Sequence, residues 1–140
     1  MKAQTSLASM LDRLGRRIDD DFGPAGLPPV RFLDQQDWDT EVPSIVQVEQ
    51  EPTADATDVV CVCGGRSFLV HLHHGLESAV AAVASALQDD VMDQLNRPWP
   101  VAAGGAVLQP AVDRSGLAVW ATADGVLRCP VGYLGLLDPT

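Results

Sequence analysis

Several things are scarce in this chain of 140 residues. Aromatic residues make up only 5%, with three tryptophans, three phenylalanines and one tyrosine. A core must therefore come chiefly from Val, Leu and Ala, and the 46% hydrophobic content is ordinary for a globular protein. Basic residues are also few. Nine Lys and Arg stand against nineteen Asp and Glu, for a formal net charge of -10. An acidic surface repels phosphate backbones and anionic lipid heads, so nucleic-acid and membrane-surface binding are not expected. A basic protein partner, self-association and plain solubility remain compatible with it.

The three cysteines, Cys61, Cys63 and Cys129, are odd in number, which argues against a disulfide framework. No apolar run approaches the ~20 residues needed to cross a bilayer. The polar start Met1-Lys2-Ala3-Gln4-Thr5-Ser6 is not followed by an apolar signal segment. The expectation is one cytoplasmic domain spanning residues 1–140, without a membrane anchor or bound cofactor.

Signatures of known chemistry are missing too. There is no G-x-G-x-x-G or Walker A pattern, and Gly64-Gly65 and Gly104-Gly105 are too short to cradle a phosphate. Ser67, Ser78, Ser85 and Ser115 lack a nucleophile elbow. Cys129 beside Pro130 carries no signature of a nucleophile. No catalytic residue is assigned.

What is present is a clear alternation of elements. Leu7, Met10, Leu11, Leu14 and Ile18 recur at helical spacing, with Thr5 or Ser6 as cap and Gly23-Pro24 as stop. This predicts a helix over about 6–21. Asp19, Asp20 and Asp21 at its C-terminal end oppose the macrodipole, so fraying is expected there. Residues 30–33 suggest a short edge strand and residues 44–50 a further strand. Asp58–Cys63 and Ser67–His73 read as a hairpin about Gly64-Gly65. Leu76, Val80, Val83, Leu87, Val91 and Leu95 make a helical stripe over 76–95, ended by Asn96 and Pro98. Residues 97–116 read as loop. Leu117–Thr122 and Val126–Cys129 read as a second hairpin with a type I′ turn at Asp124-Gly125. The expected fold is α+β, in the order α-β-β-β-α-β-β. An antiparallel sheet of about five or six strands carries two helices on one face.

Hairpin register sorts the residues that bear chemistry. A two-residue turn sets Cys63 opposite Arg66, Cys61 opposite Phe68 and Asp58 opposite His71. One face then holds Val59, Cys61, Cys63, Phe68, Val70 and Leu72. The other holds Asp58, Val60, Val62, Leu69, His71 and His73. Cysteines and strand histidines project to opposite sides, and Cys61-x-Cys63 lacks zinc-knuckle spacing. The cysteines are read as small buried hydrophobes. Asp58, His71 and His73 remain as a candidate metal cluster, with His74 beside them in sequence. Histidines at i and i+2 of a strand lie about 6.5 Å apart at Cα, within reach of one ion if a third ligand helps. The blander reading is a solvated strand face with a surface Asp58–His71 pair.

Trp38 and Trp99, with Asp89 and Asp93 four apart on the second helix, are the candidate partner contacts. Trp is enriched in interface hot spots, though it also serves as a large core cover. Asp89 and Asp93 share a helix face, and a cation or basic partner would offset their repulsion.

The second half of the chain also shows Leu87-Gln88-Asp89-Asp90-Val91, Arg97-Pro98-Trp99-Pro100, Ala118-Val119-Trp120 and Cys129-Pro130. Over residues 85–135 this resembles a group of small uncharacterised proteins from high-GC bacteria. Members of that group often carry Cys and His after the Trp-Pro step. Here Val101–Ala106 offers no such ligands, and the resemblance implies no activity. The element order and charge are also similar to small acidic secretion-chaperone-like folds, except for their final helix.

The favoured reading is a non-enzymatic, acidic protein-interaction or accessory domain, chaperone-like, binding a partner polypeptide or its own copy. One alternative is a metal-binding protein that uses the His71/His73 strand face. The other is a small-molecule or enzymatic domain with a pocket between sheet and helices, lined by the 97–116 loop.

Overall fold

The computed structural model describes residues 2–33, 58–102 and 104–136. The elements run α1 (Lys2–Phe22), β1 (Arg31–Leu33), β2 (Asp58–Cys63), β3 (Arg66–His71), α2 (Leu76–Leu95), β4 (Gln109–Val112), β5 (Ala118–Ala121) and β6 (Arg128–Pro130), with a last 3₁₀ turn over Leu134–Leu136. The fold is α+β. Among the described residues the strands form two antiparallel sheets, β1-β2-β3 and β4-β5-β6, where one sheet of about five or six strands was expected. The expected strand at 44–50 lies outside the described residues.

The β2–β3 hairpin has the register that its turn dictates: Cys63 opposite Arg66, Cys61 opposite Phe68, Asp58 opposite His71. Gly64 takes φ +60°, the first-position glycine of a tight two-residue turn. All six residues of β2 are buried. Val59, Cys61 and Cys63 join the main core with Val70 and Leu72. Val60 and Val62 join Leu33 and Leu69 in a smaller cluster on the other face.

The main core is one apolar cluster. It joins Leu14, Ile18 and Phe22 of α1 to Val80, Val83, Leu87 and Val91 of α2, and to Ala118, Trp120 and Cys129 of the second sheet. The α2 bounds are those that periodicity predicts. Asn96 ends the helix in the left-handed region at φ 57°, and the Arg97 N–H donates to the Met92 carbonyl.

The stretch that holds β4 was expected to be loop, with Arg97-Pro98-Trp99-Pro100, Gly104-Gly105 and Pro110 in it. In an edge strand proline is tolerated where its missing N–H would face outward. The Asp113 N–H donates to the Leu117 carbonyl, and Ala111 pairs with Val119. Strand alternation therefore turns Pro110 away from β5. On the opposite edge, the Val131 N–H donates to the Ala118 carbonyl, which likewise turns Pro130 of β6 outward. Both edges of this sheet carry a proline where strand addition would need a donor. The β5–β6 turn also differs from expectation. The Thr122 N–H donates to Leu127 and the Gly125 N–H to Thr122, so Asp124-Gly125 sits inside a longer loop instead of forming a two-residue turn.

The acidic end of α1 does not fray, because its carboxylates are tied down. Asp21, 3% exposed, accepts hydrogen bonds from the Trp120 indole N–H at 2.7 Å and from the backbone N–H groups of Gly132 and Leu134. Asp19 accepts from the Val30 N–H at 3.0 Å. Arg17 lies one turn earlier. Its Nη1 sits 2.7 Å from both oxygens of Glu77, while its Nε donates to the Val131 carbonyl and its Nη2 to the Ala118 carbonyl. Glu77 in turn accepts from the Ala118 N–H. Gly132 is required beside this knot. Its φ is +106°, and a Cβ there would lie 3.2 Å from Arg17.

Burial pushes the Asp21 pKa up, against the pull of its three donors. Its native pKa therefore lies above the unfolded one. That contribution to stability is complete below the unfolded pKa and is lost as pH rises through the native pKa. Asp21→Asn faces an N–H donor with an NH₂ group, and the expected cost is about 1–3 kcal/mol. Urea unfolding at stepped pH checks both points: the wild-type advantage over Asp21→Asn should shrink as pH climbs through the carboxylate range.

Candidate functional site

The structure brings Asp58, His71 and His73 together. Asp58 opens β2 and His71 closes β3, directly opposite. His73 follows two residues later, on the same side, in the turn from Leu72 to Gly75. That turn is closed by the Gly75 N–H donating to the Leu72 carbonyl at 2.9 Å. One ligand atom from each of the three residues lies within 4.8 Å of the other two. His71 Nδ1 is 3.1 Å from Asp58 Oδ1. The His71 and His73 rings are 5.9 Å apart at their centroids.

The face is not the solvated one expected from sequence. The Asp58 side chain is 2% exposed, whereas that of His71 is 50% exposed. A buried carboxylate must be compensated by hydrogen bonds or charge, and His71 lies where it can do this. The site is thus a fixed oxygen donor at the floor with two imidazoles at the rim.

The dimensions suit an ion. Two donors bound at about 2.1 Å, at angles between octahedral and tetrahedral, stand about 3.0–3.4 Å apart. The Asp58–His71 separation of 3.1 Å already meets this. His73 is exposed, which leaves its side chain room to turn toward the other two.

The cysteines take no part. All three are free and buried. Burial pushes the Cys61 thiol up to about 12, helped by Cys63 and Asp19. Burial and Asp21 push Cys129 up to about 11. At mild alkaline pH the Cys61 thiolate fraction is roughly a thousandfold below that of free cysteine. Ellman's reagent at about pH 8 should therefore leave all three thiols unreacted in the native protein and titrate three after denaturation. Rapid native reaction at any of them would contradict this assignment.

Of the expected partner contacts, Asp89 and Asp93 are exposed on α2. Between them in sequence, Asp90 pairs with Arg66. Trp99 is half-buried and packs in a triangle with Phe22 and Trp120, with centroids 5.1–5.8 Å apart. Trp38 lies outside the described residues. Gln88 and Cys129 bear on the elements that hold this triangle. Gln88 donates to the carbonyls of Trp99 and Leu108, and Trp120 pairs with Cys129 across the strands. A hollow of about 250 Å³ between Asp20, Asp21, Pro24 and Leu134 takes Trp99 as its one lining residue from the 97–116 loop.

Sequence reasoning missed the burial of Asp58. The signal was there: Asp58 heads the otherwise apolar run Val59-Val60-Cys61-Val62-Cys63, which draws it inward. It also missed the structural use of Asp21 and Glu77, whose partners lie 41 to 113 residues away.

Comparison with protein-family models, with curated proteins and with solved structures gives no match to this chain.

Proposed function

We propose that the protein binds one divalent transition-metal ion through Asp58, His71 and His73. The observation that carries this is the convergence of a buried carboxylate and two imidazoles within 4.8 Å, held by a hairpin whose register is fixed. Imidazole and carboxylate donors together suit zinc, nickel and copper better than calcium or magnesium, which prefer all-oxygen sites. Binding weakens in acid, because the imidazoles must be neutral to ligate.

Isothermal titration of untagged, chelator-stripped protein with Zn²⁺ tests the reading. One ion per chain is expected, with weaker binding at about pH 5.5 than at about pH 7.5. Asp58→Asn, His71→Ala and His73→Ala should each weaken binding about tenfold or more. No uptake, or uptake unchanged in all three variants, would overturn it.

A second reading, the protein-interaction domain, draws on apolar side chains left in solvent. Val126 is 82% exposed, Tyr133 53%, Val101 51% and Val112 46%. Single exposed apolar residues are ordinary on protein surfaces, so this reading ranks second. Concentration-dependent sedimentation that Val126→Asp abolishes would raise it.

A further inference from the structure

Three protein donors leave a zinc-class ion one short of the four it takes in a closed site. The Leu72–Gly75 turn supplies a candidate. His73 and His74 occupy its two central positions, and their rings lie 4.0 Å apart at the centroids, tilted by 43°. With His71 5.9 Å beyond His73, three imidazoles form a continuous row beside the buried Asp58. The His74 nitrogens stand outside the preformed trio. Both His73 and His74 are exposed, however, so no core contact opposes their rotation, and exposed rotamers exchange within nanoseconds.

The next acid along the chain is not available. Glu77 is committed to Arg17 and to the Ala118 N–H. Cys61 and Cys63 point into the core from the opposite face of the hairpin, and Cys129 lies in the core from β6. Among the described residues, His74 is the imidazole beside the trio with no such hydrogen bond or ion pair.

We propose that His74 is the fourth ligand, so that the site closes around zinc as a four-coordinate clamp. This rests on the metal-binding reading above and extends it. A closed site has no open position for substrate, so the ion acts on the fold and not as a Lewis acid. It ties the first residue of β2 to the end of β3 and to the turn that launches α2. Because the ion binds the folded chain, loading raises stability in proportion to the logarithm of free zinc. The protein would thus be firmest where zinc is abundant.

Cobalt(II) reports coordination number directly, because four-coordinate cobalt absorbs visible light far more strongly than six-coordinate cobalt. The experiment titrates Co²⁺, and separately Zn²⁺, into the wild-type protein and His74→Gln. The substituted residue is exposed, so the variant should fold as the parent does. The expected result is a strong visible band that saturates at one Co²⁺ per chain. In His74→Gln the band should fall severalfold and Zn²⁺ should bind about tenfold more weakly or worse, while one ion is still taken up. A saturable rise in Tm with Zn²⁺, smaller in the variant, is the accompanying stability readout. A weak band in the wild type with unchanged affinity in the variant would overturn His74 as ligand and leave the three-donor site standing. A strong band unchanged in the variant would also overturn it, by assigning the fourth position to another residue. No uptake of either ion by the wild type would overturn both this inference and the reading beneath it.

Discussion

The register of β2 against β3 is the constraint on which the candidate site depends. A slip of one residue would send every side chain of the hairpin to the opposite face. Val59, Cys61 and Cys63 would leave the main core, and Asp58 would lose His71. The two-residue turn at Gly64-Gly65 sets the pairing at one end of the hairpin. Packing holds it along its length, with Val59, Cys61 and Cys63 in the main core on one face and Val60 and Val62 in a smaller cluster on the other. The site sits at the far end of the same ladder. Its geometry is therefore inherited from core packing and does not need residues dedicated to holding it.

A second constraint anchors α1. Asp21, Arg17 and Glu77 bind backbone groups of Ala118, Val131, Gly132 and Leu134, so the first helix is locked to the last strands by directional bonds. Acidic residues at a helix C-terminus oppose the macrodipole by a few tenths of a kcal/mol up to about 1 kcal/mol each. Hydrogen bonds to a charged partner are worth about 1.5–3 kcal/mol each. Three such donors tie Asp21 in place, and the helix runs on through Phe22. Part of the acidic excess is thus structural and does not belong to a surface awaiting a basic partner.

Local patterns in the sequence carry local features of the fold. The α2 stripe, the Gly64-Gly65 hairpin, its two faces and the edge strand at Arg31–Leu33 all follow from periodicity and turn chemistry. Nothing local distinguishes one sheet from two, because that depends on which strands neighbour one another. β4 escaped notice in a stretch that holds several Pro and Gly residues, among them Pro110, a strand breaker in general but a permitted residue on an outward edge position. The grouping of Asp58, His71 and His73 was legible for the same reason as the hairpin: register alone puts them on one side. The burial of Asp58 was not, since it depends on what packs over the end of β2. The His73–His74 ring contact was not either, since it depends on the conformation of a four-residue turn.

The central claim is that the Asp58–His71–His73 cluster holds a metal ion through its imidazole nitrogens. Long-range proton–nitrogen correlation spectra of the histidine rings test this most directly, recorded while Zn²⁺ is added to the full chain. One ring nitrogen of His71 and one of His73 are expected to shift to values typical of metal ligation, in step and complete at one equivalent. Spectra in which both rings keep their metal-free nitrogen shifts at excess Zn²⁺ would contradict it. The contact between the buried Asp58 and the half-exposed His71 would then serve the fold alone.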